Sequence, residues 1–252
     1  MASLKSSGVQ PFLSIVIPAY NEERRLPTSL EKIVAFVTRQ LFDVEVVVVD
    51  DGSEDATAAL VEEFQTRHPF ITLIRNPHRG KGYAVKTGML AGRGEYLFLC
   101  DADLSMPIEQ VMRFLPPCRE DYDVAIGSRE IGGARRYGEP GYRHLMGRVF
   151  NLIVRLFAVR GFQDTQCGFK SFRRTAARDI FSRQTMDGFG FDVEVLFIAQ
   201  QRGYRIIEVP IDWFHVANSR IHPLRDTFKM FRDVVQVRWN DWRGLYRDRT
   251  ER

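Results

Sequence analysis

Two carboxylates one residue apart, Asp101 and Asp103, close the apolar run Tyr96-Leu-Phe-Leu-Cys100. On extended chain, side chains at i and i+2 point the same way, so both acids can reach one hard cation directly or through its water. Mg²⁺ or Mn²⁺ held in this manner completes its shell with substrate phosphates. The plain alternative is a pair of solvated turn acids ahead of Pro107. Three more polar clusters weigh against it, each following its own apolar run: Tyr20 and Glu22, Asp50 and Asp51, and Arg79-Gly80-Lys81.

The elements that must position these groups read as an alternation. Phe12–Ala19, Val44–Val49, Ile71–Ile74 and Tyr96–Cys100 are short apolar runs typical of strands buried on both faces. Helical spacing is predicted for Leu26–Gln40, for Asp55–Thr66 (capped by Ser53 or Asp55), and for Ala84–Leu90. Four strand–helix alternations in about 100 residues imply right-handed βαβ units and a mostly parallel central sheet flanked by helices. All four polar clusters then fall at strand carboxyl ends, on the one edge where open α/β sheets bind ligands.

Dinucleotide chemistry does not fit, because Pro18-Ala-Tyr-Asn-Glu22 replaces a glycine-rich first turn. Gly80-Lys-Gly-Tyr-Ala-Val85 lacks the third glycine, and no Gly-x4-Gly-Lys-Ser/Thr motif is present. Carboxylates for base and ribose, cations for phosphates and a metal at a later strand suit a nucleotide-sugar.

The 252 residues suit one large domain, or a core with a short appendage. A net charge of +4 is compatible with phosphate-bearing ligands or an anionic membrane surface. Basic residues are interleaved with acids and no nucleic-acid motif is present, so nucleic-acid binding is not expected. Cys100, Cys118 and Cys167 have no metal-ligand spacing and suggest a reducing compartment. Residues 1–11 are expected to be a flexible N-terminus without a signal-peptide core. No uncharged apolar stretch approaches the roughly 18 residues of a membrane span.

Pro18-Ala-Tyr-Asn-Glu22, Val49-Asp-Asp-Gly-Ser53, Arg79-Gly-Lys-Gly82 and Asp101-Ala-Asp-Leu104 occur in that order, and together resemble the nucleotide-sugar half of glycosyltransferase family 2. The resemblance implies a GT-A fold, with Pro18, Ala19, Tyr20, Glu22 and Asp50 or Asp51 around base and ribose. It further implies Lys81 near the donor, and Asp101, Ala102 and Asp103 carrying the metal–diphosphate. By this reading 12–105 is the nucleotide-sugar half and 106–215 the acceptor half of a catalytic domain spanning 12–215.

In the second half, Asp123–Arg129 reads as a strand ending in Ser128 and Arg129. The glycine- and arginine-rich loop Ile131–Tyr142, with Arg135 and Arg136, is basic enough to hold an acceptor phosphate; a solvated surface loop is the alternative. Asp164-Thr-Gln-Cys-Gly-Phe-Lys170, Phe189-Gly-Phe-Asp-Val-Glu194 and Val209-Pro-Ile-Asp-Trp213 extend the resemblance to the dolichyl-phosphate sugar synthases, nearest the glucosyltransferase branch. That likeness implies Asp164 and Gln166 lining the active site, with Asp192 and Glu194 close by; helix N-terminal acids favoured by the dipole are the alternative for those two. It also implies UDP-glucose, or second GDP-mannose, as donor and a polyprenyl phosphate as acceptor.

A phosphate monoester, with a second pKa of about 6, needs no general base. A soluble hydroxyl acceptor would need one, and Asp192 or Asp164 would serve. The five histidines lie outside the main acidic motifs. A catalytically silent nucleotide-sugar-binding protein is the rival from another class.

The segments 142–161 and 216–252 read as amphipathic helices fringed with arginine. They suit either peripheral docking on anionic lipid at the cytoplasmic membrane face or packing on the core. Many family members carry membrane helices, so a membrane-embedded partner protein is a further expectation. Gln236-Val-Arg-Trp239 resembles the Gln-x-x-Arg-Trp of processive synthases but is one residue short, and we treat it as chance.

Overall fold

A computed structural model describes residues 10–138, 140–215 and 223–247. Most of the expected flexible N-terminus, and 216–222 and 248–252 of the C-terminal segment, lie outside the described residues. The first half alternates as expected: β1 (Leu13–Ala19), α1 (Leu26–Val37), β2 (Val44–Asp50), α2 (Thr57–Arg67), β3 (Ile71–Arg75), α3 (Lys81–Ala91) and β4 (Tyr96–Cys100). A 3₁₀ turn over Ile108–Arg113 leads to β5 (Val124–Ser128), β6 (Arg135–Tyr137) and α4 (Gly141–Phe157). Then follow β7 (Phe169–Arg173), α5 (Arg174–Arg183), α6 (Phe191–Gln201), β8 (Ile206–Pro210), β9 (Asp212–Phe214) and α7 (Pro223–Trp242).

Seven strands form one sheet in the order β3-β2-β1-β4-β7-β5-β8, and β6 pairs with β9 in a small second sheet. Every pairing is parallel except those of β7, which runs against both β4 and β5. Because β7 is reversed, its first residues, not its last, lie beside the carboxyl end of β4: Phe169 pairs with Cys100.

The strand alternation divides the core between the two faces of the sheet. Ile15, Ile17, Phe98, Phe114 and Phe169 pack on one side. Val16, Val49, Leu97, Leu99 and Phe172 pack on the other. Phe98 meets Phe169 edge-on at 4.5 Å and Phe114 at 5.2 Å. Helix α3 lies tight on β1 because residue 88 is glycine; a Cβ there would stand 2.3 Å from Val16 Cγ1. That close approach fixes where the start of α3 points.

Three local expectations change. Lys81 begins α3, three residues before the predicted start, because Asp51 receives the backbone N–H groups of Arg79 and Gly80 and sets the first turn. Asp55 does accept from Thr57 N and Oγ1 ahead of α2, whereas Ser53 Oγ accepts from Asn21 N instead. The glycine-rich stretch 131–142 is not all loop: β6 lies within it, anchored on β9. Among the described residues no helix is long and apolar enough to cross a membrane.

Candidate active site

The carboxyl ends of β1, β2 and β4 deliver their polar clusters to one edge, as the alternation predicts. Tyr20 stacks on His78, ring centroids 4.1 Å apart. Glu22 is engaged by Arg25 through two bonds of 2.7 and 2.5 Å. Pro18 and Ala19 are the last residues of β1, paired with Val49 and Asp50. Asp50 is buried and accepts from Ser53 N. Asp51 is also buried, and His78 Nδ1 lies 2.8 Å from its Oδ2. With the two backbone donors noted above, Asp51 is the anchor of the turn into α3. Its carboxylate faces that turn.

Lys81 comes off the first turn of α3, and its Nζ lies 2.6 Å from Asp101 Oδ1. The contact is a close ion pair, and Asp101 Oδ1 is buried beneath the ammonium. The other side of the Asp101 carboxylate rests on Gly168, just before β7, where a Cβ would stand 2.0 Å from Oδ2. Asp103 Oδ1 accepts from Ser105 N and Oγ at 3.0 and 2.9 Å. Ala102 between the two acids is buried, and Leu104 turns the chain with φ of 45°.

A buried carboxylate oxygen countered by the Lys81 ammonium, beside a second, braced carboxylate, fits a hard divalent cation if that ammonium gives way. Among the described residues no group of three or more His, Cys, Asp or Glu side chains is placed to hold a metal. A cation held by these two acids would take its remaining ligands from substrate and water.

Arg129, at the end of β5, forms a fork with Asp164: Nε to Oδ2 at 2.6 Å and Nη2 to Oδ1 at 2.9 Å. Burial works to raise the Asp164 pKa, but Arg129 and more distant Lys170 outweigh it and hold the acid below its ordinary value. Gln166, half-buried, donates its N–H to Asp164 Oδ1. Arg136 pairs with Glu130 and donates to Arg129 O. Both arginines lie over the Trp213 ring, at 5.6 and 6.0 Å. His144 Nε2 is 3.2 Å from both Glu130 oxygens. Arg135 is exposed on β6. Ser128 is fully buried, its Oγ accepting from Glu130 N, and so lies behind the arginines rather than beside them.

Asp192 and Glu194 occupy the first turn of α6, as the helix-dipole alternative had it, yet differ in role. Asp192 lies 2.6 Å from Lys170 Nζ, which also donates to Cys167 O. Burial raises the Asp192 pKa against the pull of Lys170 and Lys81. Glu194 turns away from the cleft and accepts from Thr185 N, Thr185 Oγ1, Met186 N and Tyr246 Oη.

Sequence reasoning gave no role to Gly168, Lys170, His78, Arg25 and Trp213, although Gly168, Lys170 and Trp213 fall inside motifs that carry the resemblance, and Lys170 also stands out as a lysine between Phe169 and Phe172.

The family model described as Glycosyl transferase family 2 matches residues 14–181. The dolichyl-phosphate beta-glucosyltransferase of Dictyostelium discoideum is 33% identical, the match covering 94% of this chain and 76% of that protein. Its namesake from Drosophila melanogaster is 37% identical over 89% of this chain and 74% of that protein. Among solved structures, glucosyl-3-phosphoglycerate synthase from Mycobacterium tuberculosis, in complex with Mn²⁺, UDP-glucose and phosphoglyceric acid, superposes with a TM-score of 0.63. It is 20% identical, covering 90% of this chain and 78% of that one. The architecture is the GT-A fold.

Proposed function

The chain belongs to glycosyltransferase family 2 and is an enzyme of that family, and from that premise we propose that it moves one glucose from UDP-glucose to a polyprenyl phosphate of the dolichyl type. Likeness to dolichyl-phosphate beta-glucosyltransferases over about nine-tenths of the chain carries this reading. The site supports it independently. Tyr20 offers an aromatic face for a base, Lys81 a cation for the diphosphate, and Arg129 and Arg136, paired here with Asp164 and Glu130, two guanidiniums for an acceptor phosphate.

Asp101 and Asp103 would hold a divalent cation, Mg²⁺ or Mn²⁺, which when bound neutralises charge developing on the departing nucleoside diphosphate. In the reaction a phosphate oxygen of the acceptor attacks the anomeric carbon in line. The bond from that carbon to the diphosphate oxygen breaks, and the configuration inverts. No proton need be removed from a phosphate dianion. This agrees with the acids around the site: Asp164 is forked to Arg129 and Asp192 is paired with Lys170, so neither stands ready as a general base. A hydroxyl acceptor would require one of them to be released.

Where the lipid approaches is read from two helices that pack on each other, α4 and α7. Leu152 and Phe157 on α4 are exposed, as are Val235, Trp239 and Trp242 on α7. Arg148, Arg232, Arg238 and Arg243 are exposed around them. Apolar residues fringed with arginine suit a peripheral position on anionic lipid, which we assign to the cytoplasmic face of a membrane.

The test is transfer of radiolabelled sugar from a donor panel into organic-extractable polyprenyl phosphate, with Mn²⁺, Mg²⁺ or EDTA, beside Asp103→Ala. Metal-dependent label from UDP-glucose in the lipid phase, lost in the variant, is expected. Label remaining in water as free sugar would exclude the lipid acceptor, and donor binding without any turnover would point to a silent binding protein.

A further inference from the structure

The ammonium of Lys81 stands against one oxygen of the Asp101 carboxylate. Its Nζ is 2.6 Å from Oδ1, and Gly168 closes the opposite side of the carboxylate, where there is no room for even a methyl group. Lys81 is held there from several sides. Asp101 is its ion-pair partner, and Asp192 and Asp103 also attract its charge. Asp192 cannot readily take Lys81 as its sole partner, since the fully buried Lys170 already lies 2.6 Å from it.

Charge counting shows the consequence. Lys81 and Lys170 against Asp101, Asp103 and Asp192 leave a single negative charge. A bare divalent cation would overshoot this balance and would meet the ammonium at the same oxygen, where like charges in a partly desolvated site repel strongly. A nucleotide-sugar arriving with the cation adds two negative charges, UDP up to three, and either gives Lys81 another partner. It also brings the oxygen ligands that the protein, with two carboxylates, does not supply.

We infer that Lys81 is an internal counter-ion that withholds Asp101 from a bare divalent cation, so that metal binds tightly only together with the donor, whose diphosphate draws the ammonium off the carboxylate. This rests on the donor site proposed above and adds an order to it: metal and donor enter as a coupled pair.

The probe is Mn²⁺, counted as free ion by electron paramagnetic resonance on the full chain, with and without UDP and corrected for Mn²⁺–UDP in solution. The wild type is expected to bind Mn²⁺ at least about tenfold more tightly with UDP than without, within the usual range of coupling between sites. Lys81→Met is expected to tighten nucleotide-free Mn²⁺ binding by about tenfold and to flatten the coupling. Asp101→Asn supplies the reciprocal measurement by calorimetry: with the ammonium released, metal-free UDP binding tightens severalfold.

If Lys81→Met binds bare Mn²⁺ no better than the wild type, while the wild type still takes Mn²⁺ with UDP, the counter-ion role is wrong and the donor site stands. Should Lys81→Met fail to fold, unchanged metal-free UDP affinity in Asp101→Asn overturns the inference instead. No Mn²⁺ uptake by the wild type under either condition would overturn the donor site and this inference together.

Discussion

Gly168→Ala tests how the site is seated. A methyl at this position would stand 2.0 Å from Oδ2, 2.4 Å from Cγ and 2.7 Å from Oδ1 of Asp101. Ordinary contact begins near 3.4 Å, so the carboxylate must retreat by about 1.4 Å. Misplacing a reacting group by about 1 Å costs on the order of 100-fold in rate, equivalent to about 2.7 kcal/mol of barrier. The fold should lose less. Overpacking costs about 1–3 kcal/mol, and removing a glycine returns about 0.4–1 kcal/mol through the unfolded chain.

The expected variant is therefore folded at 25 °C, melts within about 10 °C of the wild type, and transfers sugar with kcat/KM reduced about 100-fold. Initial rates of lipid-phase label and a thermal melt, run on the same preparation, provide both numbers. Gly147→Ala at an exposed position of α4, where an added Cβ meets nothing within 4 Å, is the control for the substitution itself, with metal-dependent UDP binding unchanged and up to about 1 kcal/mol of added stability. A Gly168→Ala protein within threefold of wild-type activity would refute the claim that this backbone seats Asp101. So would a loss of activity matched by collapse of the fold.

Lys170→Met leaves Asp192 buried without its partner and should cost about 3–5 kcal/mol in denaturant unfolding. Adding Asp192→Leu should recover most of that loss; no recovery would show that the pair is not the unit of stability. Asp164 has its pKa depressed in the folded protein, so its contribution is full above the ordinary value of 3.8 and is lost as pH falls through the lower folded value. The difference in melting temperature between wild type and Asp164→Asn should thus be largest above pH 3.8 and shrink in more acid solution. A difference independent of pH from 2 to 6 would contradict this. Replacing Trp239 and Trp242 together by glutamate should weaken sedimentation with anionic vesicles at least about fivefold while leaving metal-dependent UDP binding intact; unaltered sedimentation would move the lipid surface elsewhere.

What the sequence made legible follows from what parallel strands do. Apolar runs ending in Tyr20, Asp50 and Asp101 had to bring those ends to one edge, and they do. Strand direction is not written in composition, so reversed β7 was hidden, and with it the placement of Gly168 and Lys170 under the site. His78 looked remote from the acids, yet the turn into α3 folds it onto Asp51 and Tyr20. Arg129 and Asp164 were each expected at the site. Their fork joins residues 35 apart in sequence, and such a pairing appears only once β5 and the segment before β7 are packed. Asp51 and Glu194 show the converse: acids in the right motifs whose carboxylates turn out to hold backbone in place.

The reversed strand also sets a schedule for the growing chain. β4 is complete when Cys100 has left the ribosome, but its neighbour β7 begins roughly 70 residues later, about 4–14 s at ordinary translation rates. Throughout that interval Tyr96–Cys100, destined for complete burial, is an unprotected sheet edge able to pair with another nascent chain. Biogenesis of this enzyme is therefore most vulnerable between its two halves, and a chaperone that shields an apolar edge for those seconds would raise its yield without touching the finished protein.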